Sequence, residues 1–113
     1  MKNELTVVFG FSDNPERYSN KAFSLLNEFE HNTLAFNPRT EDIKKIPENF
    51  HTLTMYVNQE ISTKFMNDIL KLNFKRIIFN PGAENSDLEK KLLDKKIEVI
   101  HGCTLVMLRT DQY

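Results

Sequence analysis

The fold is decided by residues 7–19, which read V-V-F-G-F-S-D-N-P-E-R-Y-S. Its first three residues end a short apolar run over residues 5–9, and such a run is typical of a buried parallel strand. It then passes through Gly10 into polar residues that include Arg17 and are predicted to open a helix. A helix N-terminus carries free N–H groups and a partial positive charge, so it holds anions well. The segment therefore predicts a strand, a glycine turn and a helix that together bind the phosphates of a nucleotide.

Further strands and helices follow from the spacing of apolar residues in the rest of the chain. Short apolar runs predict strands over residues 33–36, 53–57, 76–79 and 97–100. Apolar residues three or four positions apart predict helices whose inward faces are Ala22, Leu25, Leu26 and Phe29, then Ile61, Phe65, Ile69 and Leu72, then Leu88, Leu92 and Leu93. The pattern over residues 104–108 fits a sixth strand or a short helix equally well.

Polar residues, proline and glycine mark the ends of these elements. Asn58 is the predicted N-cap of the second helix. Residues 80–82, Asn-Pro-Gly, suit a type II turn after the fourth strand. Ser86 and Glu89 have the spacing of a capping box, which predicts that the third helix begins there.

Strands that alternate with helices predict a parallel sheet, because right-handed crossovers place the helices on both of its faces. We predict a single domain over residues 1–113 with a three-layer, Rossmann-like, doubly wound α/β fold and about five parallel strands. In such sheets a ligand lies beyond the carboxyl ends of the strands, where the winding direction changes. We expect the loops after the first and fourth strands to flank the site, with residues 10–19 opposite residues 80–85.

Composition excludes several other classes of protein. The net charge of −1 opposes a nucleic-acid partner, and no apolar run approaches the ~20 residues of a membrane span. The N-terminus lacks the apolar core of a secretion signal, so we expect a cytoplasmic protein. Cys103 is the only cysteine, which excludes an intrachain disulfide. Because His31, His51 and His101 are far apart in sequence, we expect no metal site.

The class of nucleotide follows from what the first two loops contain. A dinucleotide fingerprint would read GxGxxG after the first strand and would place an acidic residue at the end of the second strand. Here Gly10 is the only glycine in its loop, and the second strand is followed by Asn37, Pro38 and Arg39. A basic residue at that position suits a phosphate on the ribose, as in NADP or in the 3′-phosphate of coenzyme A.

Residues 10–26, GFSDNPERYSNKAFSLL, followed by FNPR at residues 36–39, resemble the small CoA-binding proteins. Members of that family typically read G-A-S-x-x-P-x-R-x-S and then N-P with a basic residue. They are related to the CoA-binding domain of the succinyl-CoA synthetase α subunit. The resemblance covers nearly the whole chain and implies a Rossmann-like domain that binds CoA. The positions that match are Gly10, Ser12, Pro15, Arg17, Ser19, Asn37, Pro38 and Arg39.

The chain departs from this family on the far side of the predicted site. The family often has Arg-Pro-Pro-Glu after the third strand, where residues 57–60 read VNQE. Its Trp-x-Gln-x-Gly pattern is replaced by IFNPG at residues 78–82. Asn58, Asn80 and Gly82 are the candidate ligand contacts on this wall, although each also suits a cap or a turn.

Each candidate in the first loop has a functional and a purely structural interpretation. Gly10 would let the backbone approach a pyrophosphate, Ser12 and Ser19 would donate hydroxyl hydrogen bonds, and Arg17 would donate a charge-assisted one. Alternatively, Gly10 is only a tight turn, Ser19 or Asn14 caps the helix, and Arg17 faces solvent.

We therefore expect a stand-alone domain that binds coenzyme A or an acyl-CoA. No motif supplies a nucleophile with its base, so no catalytic step is predicted. Two alternatives remain open: an NAD(P)-binding or redox domain, and a protein-interaction module that kept the fold and lost its ligand. An exposed last strand or the apolar C-terminal segment could also pair two copies in a homodimer.

Overall fold

Strands and helices alternate along the chain. The structure, a computed structural model, describes residues 4–113. Its elements, in chain order, are β1 Leu5–Phe9, α1 Tyr18–Glu28, β2 Asn32–Phe36, a 3₁₀ turn at Ile43–Lys45, β3 Thr52–Met55, α2 Gln59–Lys64, α3 Met66–Leu70, β4 Arg76–Phe79, α4 Ser86–Asp94, β5 Glu98–His101 and α5 Thr104–Arg109.

The five strands form one sheet in the order β2-β1-β3-β4-β5, and every neighbouring pair is parallel. In the register of the central strands, Val8 lies between Ala35 on one side and Thr54 on the other. This arrangement confirms the predicted doubly wound α/β fold. No helix in residues 4–113 is long and apolar enough to cross a membrane.

The core lies on both faces of the sheet, because successive residues of a strand point to opposite sides. Val7 and Phe9 point into the larger cluster, where Ile69 of α3 and Leu88 of α4 are fully buried. Val8 points into a smaller cluster with Leu26 of α1 and Leu108 of α5. Helices α2 to α4 therefore cover one face, and α1 and α5 cover the other.

Two predictions about the helices are wrong in detail. The second helix is divided into α2 and α3 at Phe65, whose ring packs edge-on against Phe9 at a centroid distance of 5.6 Å. Phe29 and Leu93, predicted to face inward, are exposed because they lie at or beyond the last turns of α1 and α4. For the segment at residues 104–108, where the sequence left a strand and a short helix open, the structure shows the short helix α5.

The predicted capping box at Ser86 is also wrong, because Asn85 caps α4. Its Oδ1 accepts a hydrogen bond from Leu88 N at 3.1 Å. Its Nδ2 donates to Ser62 Oγ at 2.8 Å, which ties α4 to α2. A buried asparagine satisfies both helices at once, whereas a serine hydroxyl at the next position could not reach both.

Candidate functional site

A cleft opens at the carboxyl edge of the sheet, where β1 and β3 lie side by side. The winding direction changes between these two strands, because the chain passes from β1 out to β2 and then crosses back to β3. The main lobe has a volume of about 350 Å³. Its walls combine the loops after β1, β2, β3 and β4, with Gly10, Phe11, Ser12, Arg17, Asn37, Pro38, Arg39, Tyr56, Val57, Asn58, Ile61, Pro81 and Gly82.

A second lobe of about 320 Å³ adjoins the first. The two lobes share wall residues, among them Gly10, Arg17 and Tyr56. Tyr18 and Ser19, at the start of α1, line only the second lobe. The loop between β1 and α1 therefore lies between two spaces, and an elongated ligand can cross it.

The expectation that the loops after the first and fourth strands flank the site is corrected in one respect. The direct neighbour of β1 at the change of winding is β3, so the loop after β3 forms the adjacent wall. The loop after β4 lies one strand further away, but its Pro81 and Gly82 still reach the cleft. The strand order, which the sequence did not reveal, decides this difference.

Gly10 brings the backbone of the first loop close to the loop after β3. Its φ is +104°, a conformation that L side chains rarely adopt. A Cβ there would lie 2.8 Å from Val57 Cγ1 and 3.2 Å from the carbonyl carbon of Tyr56. No other residue type fits this position without a shift, so the turn at the floor of the cleft requires glycine.

The rest of the first loop is held by bonds to its own polar side chains. Ser12 N donates to Ser19 Oγ at 3.1 Å, and Asn14 N donates to Ser12 Oγ at 3.2 Å. Glu16 N donates to Asn14 Oδ1 at 3.0 Å. Both serine hydroxyls thus accept bonds from the loop, which fixes its shape. Pro15 is exposed in this loop and does not line either lobe.

The N-terminus of α1 opens onto the second lobe without a side-chain cap. Arg17 occupies the N-cap position in an extended conformation, and its side chain makes no capping bond. The first turn contains no acidic residue. Within residues 4–113, no backbone carbonyl outside the helix accepts from the N–H groups of Tyr18 or Ser19. These N–H groups and the helix dipole therefore present positive potential to the cleft.

Two arginines on the walls add positive charge. In the part of the chain that the structure describes, no hydrogen bond or ion pair engages the guanidinium of Arg17 or Arg39. Arg39 lies within a tight turn in which Asn37 Oδ1 accepts from Arg39 N at 2.9 Å. Glu41 Oε1 accepts from Asn37 N at 2.7 Å, so the turn is held from both sides. The bond from Lys45, followed by that from Asn37, lowers the pKa of Glu41 below its usual value of 4.5.

The predicted contacts on the far wall have different surroundings. Asn58 is exposed and caps α2, with Ile61 N donating to its Oδ1 at 3.0 Å. Gly82 has a φ of +91°, and Ala83 N donates to the carbonyl of Asn80 at 2.9 Å, as expected for the predicted turn. Both Asn58 and Gly82 line the main lobe.

Asn80 does not line either lobe. It is 2% exposed, and its Nδ2 donates to Thr54 Oγ1 at 2.8 Å and to the carbonyl of Met55 at 2.9 Å. Its Oδ1 accepts from Thr104 N at 2.9 Å. The side chain therefore joins β3, β4 and the start of α5 beneath the cleft. Its place is structural, which the turn sequence alone did not indicate.

Tyr56 is a wall residue that the sequence did not single out. It follows β3 directly and lines both lobes. Its hydroxyl is buried and makes no hydrogen bond with good geometry, although the hydroxyls of Thr104 and Thr54 lie near it. Burial raises the pKa of Tyr56 far above its usual value. Its position after the third strand becomes informative only when the strand order is known.

Residues 4–109 match the sequence model of a family described as the CoA binding domain. The chain belongs to this family. No curated protein matches this chain. The match spans all five strands, so the family defines the whole fold and not only its first loop.

Several solved structures are similar to this chain and have the same fold. A crystal structure described as that of an uncharacterized protein has 31% sequence identity and a TM-score of 0.87, and the match covers 97% of this chain and 98% of that one. The cell-free ID.343 protein from Thermus thermophilus has 18% identity and a TM-score of 0.84, over 97% and 90% of the two chains. Prb, a PH1109 protein redesigned for binding, has 16% identity and a TM-score of 0.82, over 97% and 84%.

The family is named after CoA, and the cleft of this chain has positive groups on its walls. CoA carries a pyrophosphate between two arms and a further phosphate on its ribose. The chain offers an uncapped helix N-terminus on the second lobe of the cleft, together with Arg17, which lines both lobes. Arg39 supplies a second cation on the β2 side. Each lobe therefore has at least one positive group on its wall.

Proposed function

We propose that this chain binds coenzyme A or an acyl-CoA in the cleft between β1 and β3. The observation that supports this most is the open N-terminus of α1, which lacks a side-chain cap and faces the cleft beside Arg17. A pyrophosphate there would satisfy the free N–H groups of the first turn and pair with the guanidinium. Gly10 would let the backbone lie close to the phosphates.

A pyrophosphate in this position also suggests roles for the other site residues. Arg39, after β2, would pair with the ribose phosphate, and the Nδ2 group of Asn37 would donate to the same end of the ligand. Asn58 and Gly82 would line the opposite side of the main lobe. Ser12 and Ser19 would act mainly by fixing the loop, since both hydroxyls already accept bonds from it. We propose binding of the ligand alone, with no catalytic step.

A thermal-shift panel with CoA, dephospho-CoA, NAD and NADP tests this proposal. A ligand that binds only the folded state raises the midpoint of unfolding, and the stabilisation grows with the logarithm of its concentration relative to Kd. We expect the largest shift with CoA and a smaller one with dephospho-CoA. A clear shift with NADP and none with CoA would favour the NAD(P)-binding alternative, and no shift with any nucleotide would favour the interaction module.

A further inference from the structure

A second polar cavity lies at the amino edge of the sheet, at the opposite end of the strands from the cleft. Its volume is about 140 Å³, and Arg76, at the start of β4, is on its wall. We call it the Arg76 cavity. Side chains from β1, β3 and β4 reach it, and the wall is completed by Glu4, His31, His51 and Tyr113. None of these residues takes part in the proposed CoA site.

The guanidinium of Arg76 is held in one orientation within this cavity. Its Nε donates to Thr52 Oγ1 at 2.8 Å. Its central carbon lies 4.4 Å from the centroid of the Tyr113 ring, a cation–π contact. Tyr113 is itself fixed by a short hydrogen bond between its hydroxyl and that of Thr6. With Nε bonded to Thr52, the fork of Nη groups is the part of the guanidinium that remains to bind an oxyanion.

This half-buried guanidinium lacks a carboxylate partner. Within residues 4–113, no Asp or Glu lies at ion-pairing distance from Arg76. The carboxylate on the cavity wall belongs to Glu4, and its Oε2 lies 3.3 Å from His51 Nε2. Glu4 acts on Arg76 only from longer range. A partly desolvated cation without a close counter-charge favours the uptake of an anion.

The two histidines on the wall have different roles. Thr52 Oγ1 accepts from Arg76, so its own proton can be donated to His51 Nδ1 at 2.7 Å. His51 is thereby engaged on both sides, by Thr52 and by Glu4. The ring of His31 stands edge-on to Tyr113 at 4.9 Å, and in the described chain no hydrogen bond engages its nitrogens. Burial, with a smaller effect of Arg76, lowers the pKa of His31. His31 is therefore the ring that can donate to an incoming group.

We propose that the Arg76 cavity binds a small oxyanion of the phosphate type, held by the Nη fork of Arg76 with the His31 ring as a second donor. A cavity of about 140 Å³ admits such an ion or the phosphate end of a monoester, and excludes a nucleotide. A metal ion does not fit the same residues, since the His, Cys, Asp and Glu residues between 4 and 113 form no group of three that could hold one.

The test is an NMR titration of the whole chain with sodium phosphate, with sodium chloride adjusted to constant ionic strength. We expect saturable shifts of the His31 ring protons and of the Arg76 Nε–H signal at millimolar phosphate. The pKa of His31 should rise, because a bound anion stabilises the imidazolium form. The titration is repeated in Arg17→Gln, which removes the cation of the CoA cleft. The shifts at the amino edge should persist there, so this test does not depend on the proposed function.

Two variants locate the binding. Arg76→Gln should abolish the saturable shifts of His31, whereas Lys75→Gln should leave them unchanged. The second variant is a matched control, since it removes one positive charge from the adjacent exposed position, which does not line this cavity. If Arg76→Gln fails to fold, His31→Gln replaces it and should weaken binding several-fold, read from the Arg76 signal. Unsaturated shifts at tens of millimolar phosphate, equal shifts with chloride alone, or saturable binding retained in both cavity variants would each overturn the proposal.

Discussion

A Cβ atom at Gly10 would lie 2.8 Å from Cγ1 of Val57. This relationship joins the loop after β1 to the loop after β3 at the floor of the cleft. We predict that Gly10→Ala destabilises the fold by about 2–3 kcal/mol, from the cost of a positive φ together with the steric conflict. Unfolding in urea measures the change.

Gly82 is the matched control for this substitution. Its φ is also positive, at +91°, but a Cβ there would meet nothing within 4 Å. Gly82→Ala should therefore cost only about 1 kcal/mol, the conformational part alone. Equal losses for the two variants would contradict the steric explanation, whereas partial recovery in Gly10→Ala/Val57→Ala would support it.

Asn80 should contribute to stability and only indirectly to ligand binding. Asn80→Ala removes two donated bonds and leaves Thr104 N without its acceptor, so we predict a loss of about 2–3 kcal/mol. Asn58→Ala is a suitable comparison, because it removes one exposed cap and should cost about 1 kcal/mol. Urea unfolding of the two variants shows which one loses more stability. A smaller loss of stability in Asn80→Ala than in Asn58→Ala would contradict the role assigned to the buried hydrogen bonds of Asn80.

The hydroxyl of Tyr56 should be dispensable for stability. It is buried without a well-formed hydrogen bond, so Tyr56→Phe removes a desolvated group and little else. We predict a free energy of unfolding that is unchanged or higher by up to about 1 kcal/mol. A loss of more than about 1 kcal/mol in the same assay would mean that Thr54 or Thr104 does bond to this hydroxyl.

The turn after β2 should weaken in acid. The folded-state pKa of Glu41 is lowered, first by Lys45 and then by Asn37 N–H, so its contribution is complete above the unfolded value of 4.5 and is lost as the pH falls through the folded value. The difference in stability between the wild type and Glu41→Gln should therefore narrow below pH 4.5. Urea unfolding of both chains across this range measures it. A difference that stays constant with pH would contradict the role of this carboxylate.

Much of the fold could be predicted because strong local patterns agree with the tertiary structure. The apolar run before Gly10 is β1, and the polar residues after it lead into α1. The break at Phe65 could not be predicted, since an uninterrupted helical spacing gives no sign that one ring must turn toward Phe9. The choice of Asn85 over Ser86 as the cap depends on Ser62, which is distant in sequence.

The candidate site was predictable where it lies in one loop and not where strands must be arranged first. Gly10, Arg17 and Arg39 do meet in one cleft, and all of them lie in the loops that follow β1 and β2. Tyr56 was missed because its importance depends on β3 lying next to β1. Asn80 was predicted to contact the ligand, because a turn sequence does not reveal that its side chain bonds to the start of α5.

Arg39 should distinguish CoA from dephospho-CoA. If it pairs with the ribose phosphate, Arg39→Gln should weaken CoA binding by roughly tenfold and leave dephospho-CoA binding almost unchanged. Arg109→Gln, which removes an exposed arginine that lines neither lobe, is the charge-matched control. Equal weakening for both ligands would place Arg39 elsewhere than at this phosphate.

Calorimetric titration of CoA into the intact chain tests the central claim most directly. We predict a saturable heat with one CoA per chain, and binding that is weaker by about tenfold or more in Arg17→Gln, because the charge-assisted bond to the pyrophosphate is lost. The absence of saturable heat at millimolar CoA, or equal affinity in the wild type and Arg17→Gln, would contradict the assignment of this cleft to CoA.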